Sequence, residues 1–518
     1  MSDWRPALQR KEALCELEAR LKLDPASIAL RFERACLFHE MGQIEEAKQA
    51  YLDVLTRSPA HVGALNNLGT LLYFTGYRTA ARSAYTEAIR QHPDQPMAHV
   101  NLGNLFLEAG ELAAAREHYE AALSIDAQFI QAHQGLGNLL AELGQEEAAA
   151  KHQRLGHWDR KPTELPYRGE VEPVSLLLLT SGRRGDVPIR HLLDDRIFRT
   201  FVVMPNVFDP DVPLPEHQVI FNAIGDADLC QQSLDRAVTL MERTFAPVIN
   251  SPAAVLGTGR AANARRLAQI PGVVAPTIAT FSREALASPE ASRALDHRGL
   301  RFPLLLRAPG FHNGRHFLLV EDAAQLASAL GELPGNEFTA IQYLDARGAD
   351  GRHRKYRVMM IGGWLYPLHL AISANWKIHY VTADMKENAG HREEEARFLE
   401  DMPGVLGPRA MAALAEIQNM LGLDYAGIDF GLNAEGDVLL FEANATMTVL
   451  PPERDRRWDY RRAAVERVED AVRKMLLDSA KARHQPGYPH PEQTSALDPT
   501  IYWQPVQQEL ETRKCSTV

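Results

Sequence analysis

The sequence predicts a multidomain chain, an all-α solenoid followed by an α/β domain and then an α+β domain. Three observations predict it. Glycine, alanine and tyrosine recur with a period of 34 residues through the first third of the chain. From about residue 174, short apolar runs alternate with helical patterns. Near residue 430, two apolar strands joined by a tight turn carry the acids Asp429 and Glu442. The 518 residues are enough for about three domains at the usual domain size.

Composition narrows the class. Apolar residues at 45% and charged residues at 24% are ordinary for a globular chain. A formal net charge of -11 argues against broad nucleic-acid binding, which wants a basic face. Cys15, Cys36, Cys230 and Cys515 are scattered and form no CxxC pair, which excludes a disulfide framework or a zinc knuckle. The start is polar and the apolar runs, such as Val174–Leu179, are too short to span a bilayer. A cytoplasmic protein with no membrane partner is the expectation.

Gly42, Gly76, Gly110 and Gly144 are spaced by 34, as are Ala47, Ala81, Ala115 and Ala149. Tyr51, Tyr85 and Tyr119 keep the same step, and so do Pro25, Pro59 and Pro93. A helix-turn-helix unit accounts for the set. Gly69, Gly103 and Gly137 sit where paired helices cross closely, the first glycine series opens the turn, and the prolines end the second helix. Each tyrosine is expected to fill the groove toward the next repeat. Residues 8–25 read as a lone second helix, followed by three clear units and a degraded fourth in which Gln153 replaces the tyrosine. This pattern resembles the tetratricopeptide repeat over about residues 8–157. The resemblance implies that a peptide or protein partner is bound on a concave face, where Asn66, Asn67, Asn101 and Asn104 would clamp a peptide backbone. The partner could also be the chain's own second half.

The repeat domain is assigned to residues 1–158 and a linker to 159–172, because residues 155–170 break the repeat and carry two prolines and two glycines. An α/β domain over 173–250 follows. Its expected strands are Val174–Thr180, Phe198–Met204, Gln218–Ala223 and Pro247–Asn250, with a helix over Asp226–Thr244. The glycine-bearing turn Ser181–Asp186 after the first strand is a candidate for receiving a phosphate or carboxylate.

The strongest chemical signal is DYAGIDFGLNAEGDVLLFEANATM, residues 424–447. Asn433–Gly436 supplies a hairpin turn between Ile428–Leu432 and Val438–Phe441. Folding places Asp429 opposite about residue 440, with Glu442 a diagonal neighbour. Asn444, two residues on, faces the same side as Glu442. Two carboxylates and an amide oxygen suit magnesium held against nucleotide phosphates rather than zinc.

These residues resemble the ATP-grasp superfamily, over about residues 174–475. The resemblance implies that Asp429, Glu442 and Asn444 hold magnesium and that ATP is bound between 251 and 480. Asn250-Ser251-Pro252 resembles the family's entry turn. Arg260 and Arg307 fall where the family places its two nucleotide lysines. Phe311, His312, Asn313, Gly314 and Arg315 fall on the loop that closes over the phosphates. Gln342, Tyr343 and Leu344 would line the base, and Asp345 would take the ribose hydroxyls. Arg357 matches the arginine that meets the transferring phosphoryl group, with Lys355 standing where the family often has an acid. Arg307, Arg357 and Lys377 are thereby the candidate catalytic groups, and His369, Trp376 and His379 candidate substrate contacts. The charged stretch 383–399 reads as a loop running into a solvated helix.

The implied function is an ATP-dependent ligase. It would activate a carboxylate as an acyl phosphate for attack by an amine or thiol, with the repeat array delivering a peptide or protein. The alternatives are a small-molecule kinase of the same fold, or a non-catalytic nucleotide-sensing scaffold. Homodimer formation is left open. A tail from 481 to 518, rich in proline, is expected to be extended, anchored by Tyr502 and Trp503.

Overall fold

In the computed structural model the described residues are 6–143, 145–156, 161–182, 185–189, 192–308, 316–378, 383–450, 452 and 455–482. The chain divides into two compact units. One comprises Met1–Leu177 and Leu193–Glu216, the other Leu178–Leu192 and His217–Val518. That boundary passes through the stretch assigned above to a single α/β domain.

The first unit opens with α1 (Pro6–Leu23) and four helix pairs: α2 (Ile28–Glu40) with α3 (Ile44–Arg57), α4 (Val62–Phe74) with α5 (Arg78–Gln91), α6 (Pro96–Glu108) with α7 (Leu112–Ile125), and α8 (Ile130–Glu142) with α9 (Glu146–Gly156). The 34-residue period is visible in the physics of each pair. Gly42, Gly76 and Gly110 have φ of 70°, 85° and 78°, left-handed conformations that end the first helix at little steric cost. Gly144 lies outside the described residues. A Cβ on Gly69 would meet the ring of Tyr85 at 2.5 Å, and one on Gly103 the ring of Tyr119 at 2.8 Å. The tyrosine therefore packs first on its own pair's glycine. It also reaches forward, since a Cβ on Gly135 would overlap the Tyr119 ring. Its hydroxyl repeats as well: Tyr85 meets Thr70 Oγ1 at 3.1 Å and Tyr119 donates to Asn104 Oδ1 at 2.7 Å, each fifteen residues back. In the fourth pair Gln153, buried, takes the tyrosine's place against Gly137.

After the array come β1 (Thr163–Glu164), β2 (Val174–Leu179) and β3 (Phe198–Val203). Part of the expected linker is thus a strand: β1 pairs antiparallel with β3, and Arg199 holds Glu164 through two bonds of 2.7 and 3.0 Å.

In the second unit β4 (Val219–Asn222) leads through α10 (Gln231–Met241) to β5 (Val248–Ile249), which pairs parallel with β4. The helix expected from Asp226 starts five residues later. Asp226 Oδ1 accepts the N–H groups of Asp228 and Leu229, so the acid folds a turn instead of opening the helix. Next come α11 (Pro252–Leu256), α12 (Arg260–Leu267), β6 (Val273–Val274), β7 (Ile278–Ser282), α13 (Arg283–Ala287), α14 (Ala291–His297), β8 (Leu304–Arg307), β9 (Phe317–Val320), α15 (Ala323–Glu332) and β10 (Glu337–Gln342). Strands β7-β10-β8-β9 form one sheet in that order. Its core is Phe281, Leu286, Leu304, Leu306, Leu330 and Phe338.

The second sheet is built from β11 (His353–Ile361), β12 (Trp364–Ser373), β13 (Tyr425–Leu432) and β14 (Val438–Asn444), with β6 at its edge, in the order β12-β11-β13-β14-β6. Gly362 and Gly363, with φ of 55° and 88°, turn β11 into β12, the tight hairpin that demands two positive φ values. Helices α16 (Ala389–Glu400), α17 (Met402–Leu421, broken at Gly407) and α18 (Arg462–Ala482) complete the unit. Helix α16 is not simply solvated as expected for 383–399. His391, Glu395, Phe398 and Leu399 are buried, and Glu395 accepts from the Tyr460 hydroxyl at 2.5 Å and from Leu370 N at 3.3 Å.

Candidate functional site

The register of the second sheet assembles the charged residues. Asp429 on β13 lies opposite Arg357 on β11 and opposite Glu442 on β14. Glu442 is thus a direct cross-strand partner of Asp429 and not the diagonal neighbour expected. The cause is a bulge: Phe430 pairs with Leu440, so Phe441 is the extra residue that brings Glu442 level. Opposed residues share a face, and so do residues two apart on one strand. Lys355, Arg357, His369, Asp429, Glu442 and Asn444 therefore stand on one side of the sheet.

Asp429 is almost fully buried, and its charge is matched. Arg357 donates Nε to Oδ1 at 2.6 Å and Nη2 to Oδ2 at 2.8 Å, while Lys355 Nζ lies 3.0 Å from Oδ2. Burial alone would push the carboxyl up. Arg357 and then Lys355 reverse this and hold it well below the usual carboxylate range. Glu442 accepts Arg260 Nη2 at 2.6 Å. It too is held low, against burial and the neighbouring Asp429, chiefly by Arg260, then by Arg307 and Arg357. Burial and Arg260 in turn pull Arg307 below its ordinary value. Burial, then Arg357, pulls His369 well below its ordinary value.

An open cleft lies beside this face. Asp226, Asp228, Arg260, Asn263, Ile278 and Glu442 are among its lining residues. Helix α12 is fastened at both ends of its first turn. Asp228 Oδ2 accepts Arg260 N–H at 2.9 Å, and Asn263 Nδ2 donates to Ala443 O at 2.8 Å. Those bonds aim the Arg260 side chain at Glu442. The Ser181–Asp186 turn braces the same corner. Asp186 takes Ser181 N–H at 2.8 and 3.0 Å, burial pushes its carboxyl up to about 6, and Gly185 O accepts from Gly225 and Asp226.

Asn444 is near but turned. Its Nδ2 donates to Glu442 Oε1 at 3.0 Å, and its Oδ1 accepts both the N–H and the hydroxyl of Thr446 at 2.9 Å. The carboxylates that line the cleft are those of Glu442, Asp226 and Asp228, with Asp429 the cross-strand partner of Glu442. Among the described residues no group of three or more His, Cys, Asp or Glu is placed to hold a metal.

Arg307, which acts on Glu442, ends β8 opposite Phe317 and Thr339. The other expected site residues spread out. Gln342 Oε1 accepts Thr277 N–H at 3.1 Å, so it ties β10 to the segment before β7. The Tyr343 hydroxyl meets His353 Nε2 at 3.1 Å, Leu344 is half-buried, and Asp345 is held by Arg347 Nε at 2.9 Å. Lys377 Nζ donates to Phe317 O at 3.3 Å beside the Trp376–Phe317 ring contact, and burial lowers its pKa. Phe311, His312, Asn313, Gly314, Arg315 and His379 lie outside the described residues, as do Tyr502 and Trp503. In the array, the asparagines expected to clamp a peptide make internal bonds: Asn66 to Val62 O, Asn67 to the Tyr51 hydroxyl, Asn101 to Asn66, and Asn104 as above.

Sequence reasoning missed the engagement of Lys355 with Asp429, and it missed Asp226 and Asp228. Strand alternation from Arg357 places Lys355 on the site face, so that signal was present. Asp226 and Asp228 reach β14 through a turn that no local pattern connects to it.

Residues 28–61 and 68–128 match tetratricopeptide-repeat family models, so the N-terminal helices are tetratricopeptide repeats. No curated protein matches the chain. Solved structures similar to it include MamA, at 22% identity, covering 30% of this chain and 94% of that one with a TM-score of 0.26. The pilF protein of Pseudomonas aeruginosa is similar at 22% identity, 29% and 68% coverage, and a TM-score of 0.27. A thermophilic tetratricopeptide protein of Thermus thermophilus is similar at 21% identity, 28% and 81% coverage, and a TM-score of 0.26. Among the described residues no helix is long and apolar enough to cross a membrane.

Proposed function

We propose that the second unit is an ATP- and magnesium-dependent ligase of the ATP-grasp type and that the array is a scaffold for a protein or peptide partner. The observation that carries this is the pairing of Asp429 with Glu442 across one sheet face, beside a cleft and ringed by Lys355, Arg357, Arg260 and Arg307. Two hard carboxylates suit a divalent cation that also touches phosphate oxygens. The surrounding guanidinium and ammonium groups suit the phosphates themselves. The donor chemistry fits magnesium through Asp429 and Glu442, with Asn444 holding Glu442 in place.

When bound, magnesium would neutralise charge on the transferring phosphoryl group. Arg357, fixed by its two bonds to Asp429 and by Nη1 to Thr448 O at 3.4 Å, would meet that group. Arg307 and Arg260, which both act on Glu442, would hold the phosphates. The substrate carboxylate attacks the γ-phosphorus, ADP departs, and an amine then displaces phosphate from the acyl phosphate. On this reading Lys377, whose Nζ donates to Phe317 O, would steady an anionic acyl phosphate.

Phosphate release is the test. ATP turnover that depends on both a carboxylate and an amine, and that vanishes in Asp429→Asn and Glu442→Gln, supports the ligase. A phosphorylated acceptor without free phosphate makes the unit a kinase. Tight ATP binding with no turnover makes it a nucleotide sensor, a reading favoured by the ion pairs that engage both carboxylates.

A further inference from the structure

We infer that a divalent cation enters this cleft only together with nucleotide, and that Arg260 enforces the coupling. The inference rests on the nucleotide reading above and concerns how the same site is loaded.

Three of the four carboxylate oxygens already hold donors. Asp429 Oδ1 receives Arg357 Nε, and Oδ2 receives both Arg357 Nη2 and Lys355 Nζ, all within 3.0 Å. Glu442 Oε1 receives Arg260 Nη2 at 2.6 Å and Asn444 Nδ2 at 3.0 Å. A bare cation seeking both acids would have to displace these donors and remain beside their positive charges, with Arg307 adding to the repulsion. Asp226 and Asp228 act on Arg260, and Asp226 on Arg307, but each bonds a backbone N–H and neither takes the place of a donor on Asp429 or Glu442. A nucleotide changes the balance. Its phosphates offer the cationic side chains new partners and release carboxylate oxygens to the metal that arrives with them.

The groups differ in how readily they can exchange. Arg357 grips Asp429 through two parallel bonds, with its side chain 18% exposed. Arg260 has one short bond to Glu442, and its side chain is 29% exposed. Its backbone is pinned by Asp228, so the side chain can swing without moving α12. Arg260 is therefore a positioning residue: it covers Glu442 until phosphate draws it away.

The test uses the full chain and manganese as the probe, with bound metal read by electron paramagnetic resonance. Wild type should bind little manganese alone and bind it firmly when a non-hydrolysable ATP analogue is present. Arg260→Gln should bind manganese alone at least about tenfold more tightly than wild type, a coupling of ordinary size for linked sites. Arg260→Lys, which keeps the charge, should stay close to wild type. The inference is overturned if wild type binds manganese equally well with and without the analogue, a comparison that stands even if Arg260→Gln does not fold. It is also overturned if a folded Arg260→Gln gains no metal affinity. Equilibrium dialysis of labelled analogue separates the two readings: analogue bound without coupling sinks this inference alone, and no binding removes the nucleotide reading with it.

Discussion

Asp429 and Glu442 face each other across neighbouring strands because Phe441 is bulged out of the ladder. Asp429 is the more deeply set, with its side chain 6% exposed and three cationic contacts upon it. Replacing it with Asn keeps the shape but leaves Arg357 and Lys355 buried without their counter-charge. Breaking a buried pair from one side costs about 3–5 kcal/mol, so Asp429→Asn should lower the unfolding free energy of the second unit, measured by urea denaturation, by an amount in that range. Glu442→Gln should cost less, because Glu442 is a third exposed. An equal or larger loss at Glu442 would contradict this charge assignment.

Arg357 offers a kinetic check on the proposed chemistry. Its paired bonds to Asp429 fix the planar fork in place, a geometry that lysine cannot copy. Arg357→Lys should lower turnover by about 10²–10³, the loss usual when one preorganised charge contact is removed. Dialysis should show a much smaller change in nucleotide binding. If binding and turnover fall together, Arg357 serves only to hold the ground state.

The array was legible because its constraints are local and repeated. A glycine that must take φ near 80° and another that must admit a tyrosine ring each leave a mark every 34 residues. Strand identity in the second unit was legible from apolar runs such as those flanking Asn433–Gly436. The site was half legible. Strand alternation put Glu442 and Asn444 on one side, but the Phe441 bulge, which sets the register, has no distinct residue signature. Asp226 reads as a helix residue because an acid before an apolar stretch looks like a helix start. Only the fold shows it serving a turn at the cleft mouth. The buried Glu395 was hidden in a run of charges, where nothing local separates an acid meeting Tyr460 from its solvated neighbours.

The two kinds of array glycine should respond differently to alanine. Gly76 has open space around it, so Gly76→Ala should cost only the backbone strain of φ 85°, about 1–2 kcal/mol. Gly135 is helical and its added Cβ would overlap the Tyr119 ring, so Gly135→Ala should cost about 1–3 kcal/mol through overpacking. The decisive measurement is a double-mutant cycle by urea denaturation. In a Tyr119→Ala background the Gly135→Ala penalty should nearly vanish, while the Gly76→Ala penalty should persist.

The last two helix pairs carry a repeated histidine contact: His99 Nδ1 meets His118 Nδ1 at 3.1 Å, and, one period later, His133 Nδ1 meets His152 Nδ1 at 2.9 Å. Ring centroids 5.3 and 5.0 Å apart put each pair of nitrogens nearly on the line between rings, as an N–H···N bond requires. His133 Nε2 lies 3.1 Å from Ala127 O, so it carries the proton, and His133 Nδ1 accepts from His152. Each pair thus holds one bridging proton and cannot take a full second set without breaking the bond. Burial is the first cause that lowers His99, His118 and His152 from the ordinary 6.5. The nearby charges partly oppose one another: Arg82 lowers and Glu117 raises His118, while Lys151 lowers and Glu120 raises His152. A histidine whose folded pKa lies below its unfolded value binds fewer protons when folded. Stability is then lost as pH falls from 6.5 toward the folded value and is level above. The array should unfold at lower urea near about pH 5.5 than near about pH 7.5. In His118→Phe, whose new ring keeps the stack on Phe106, that pH dependence should shrink. A midpoint that is flat with pH, or one that rises on acidification, would show that these pairs do not store the proton as argued.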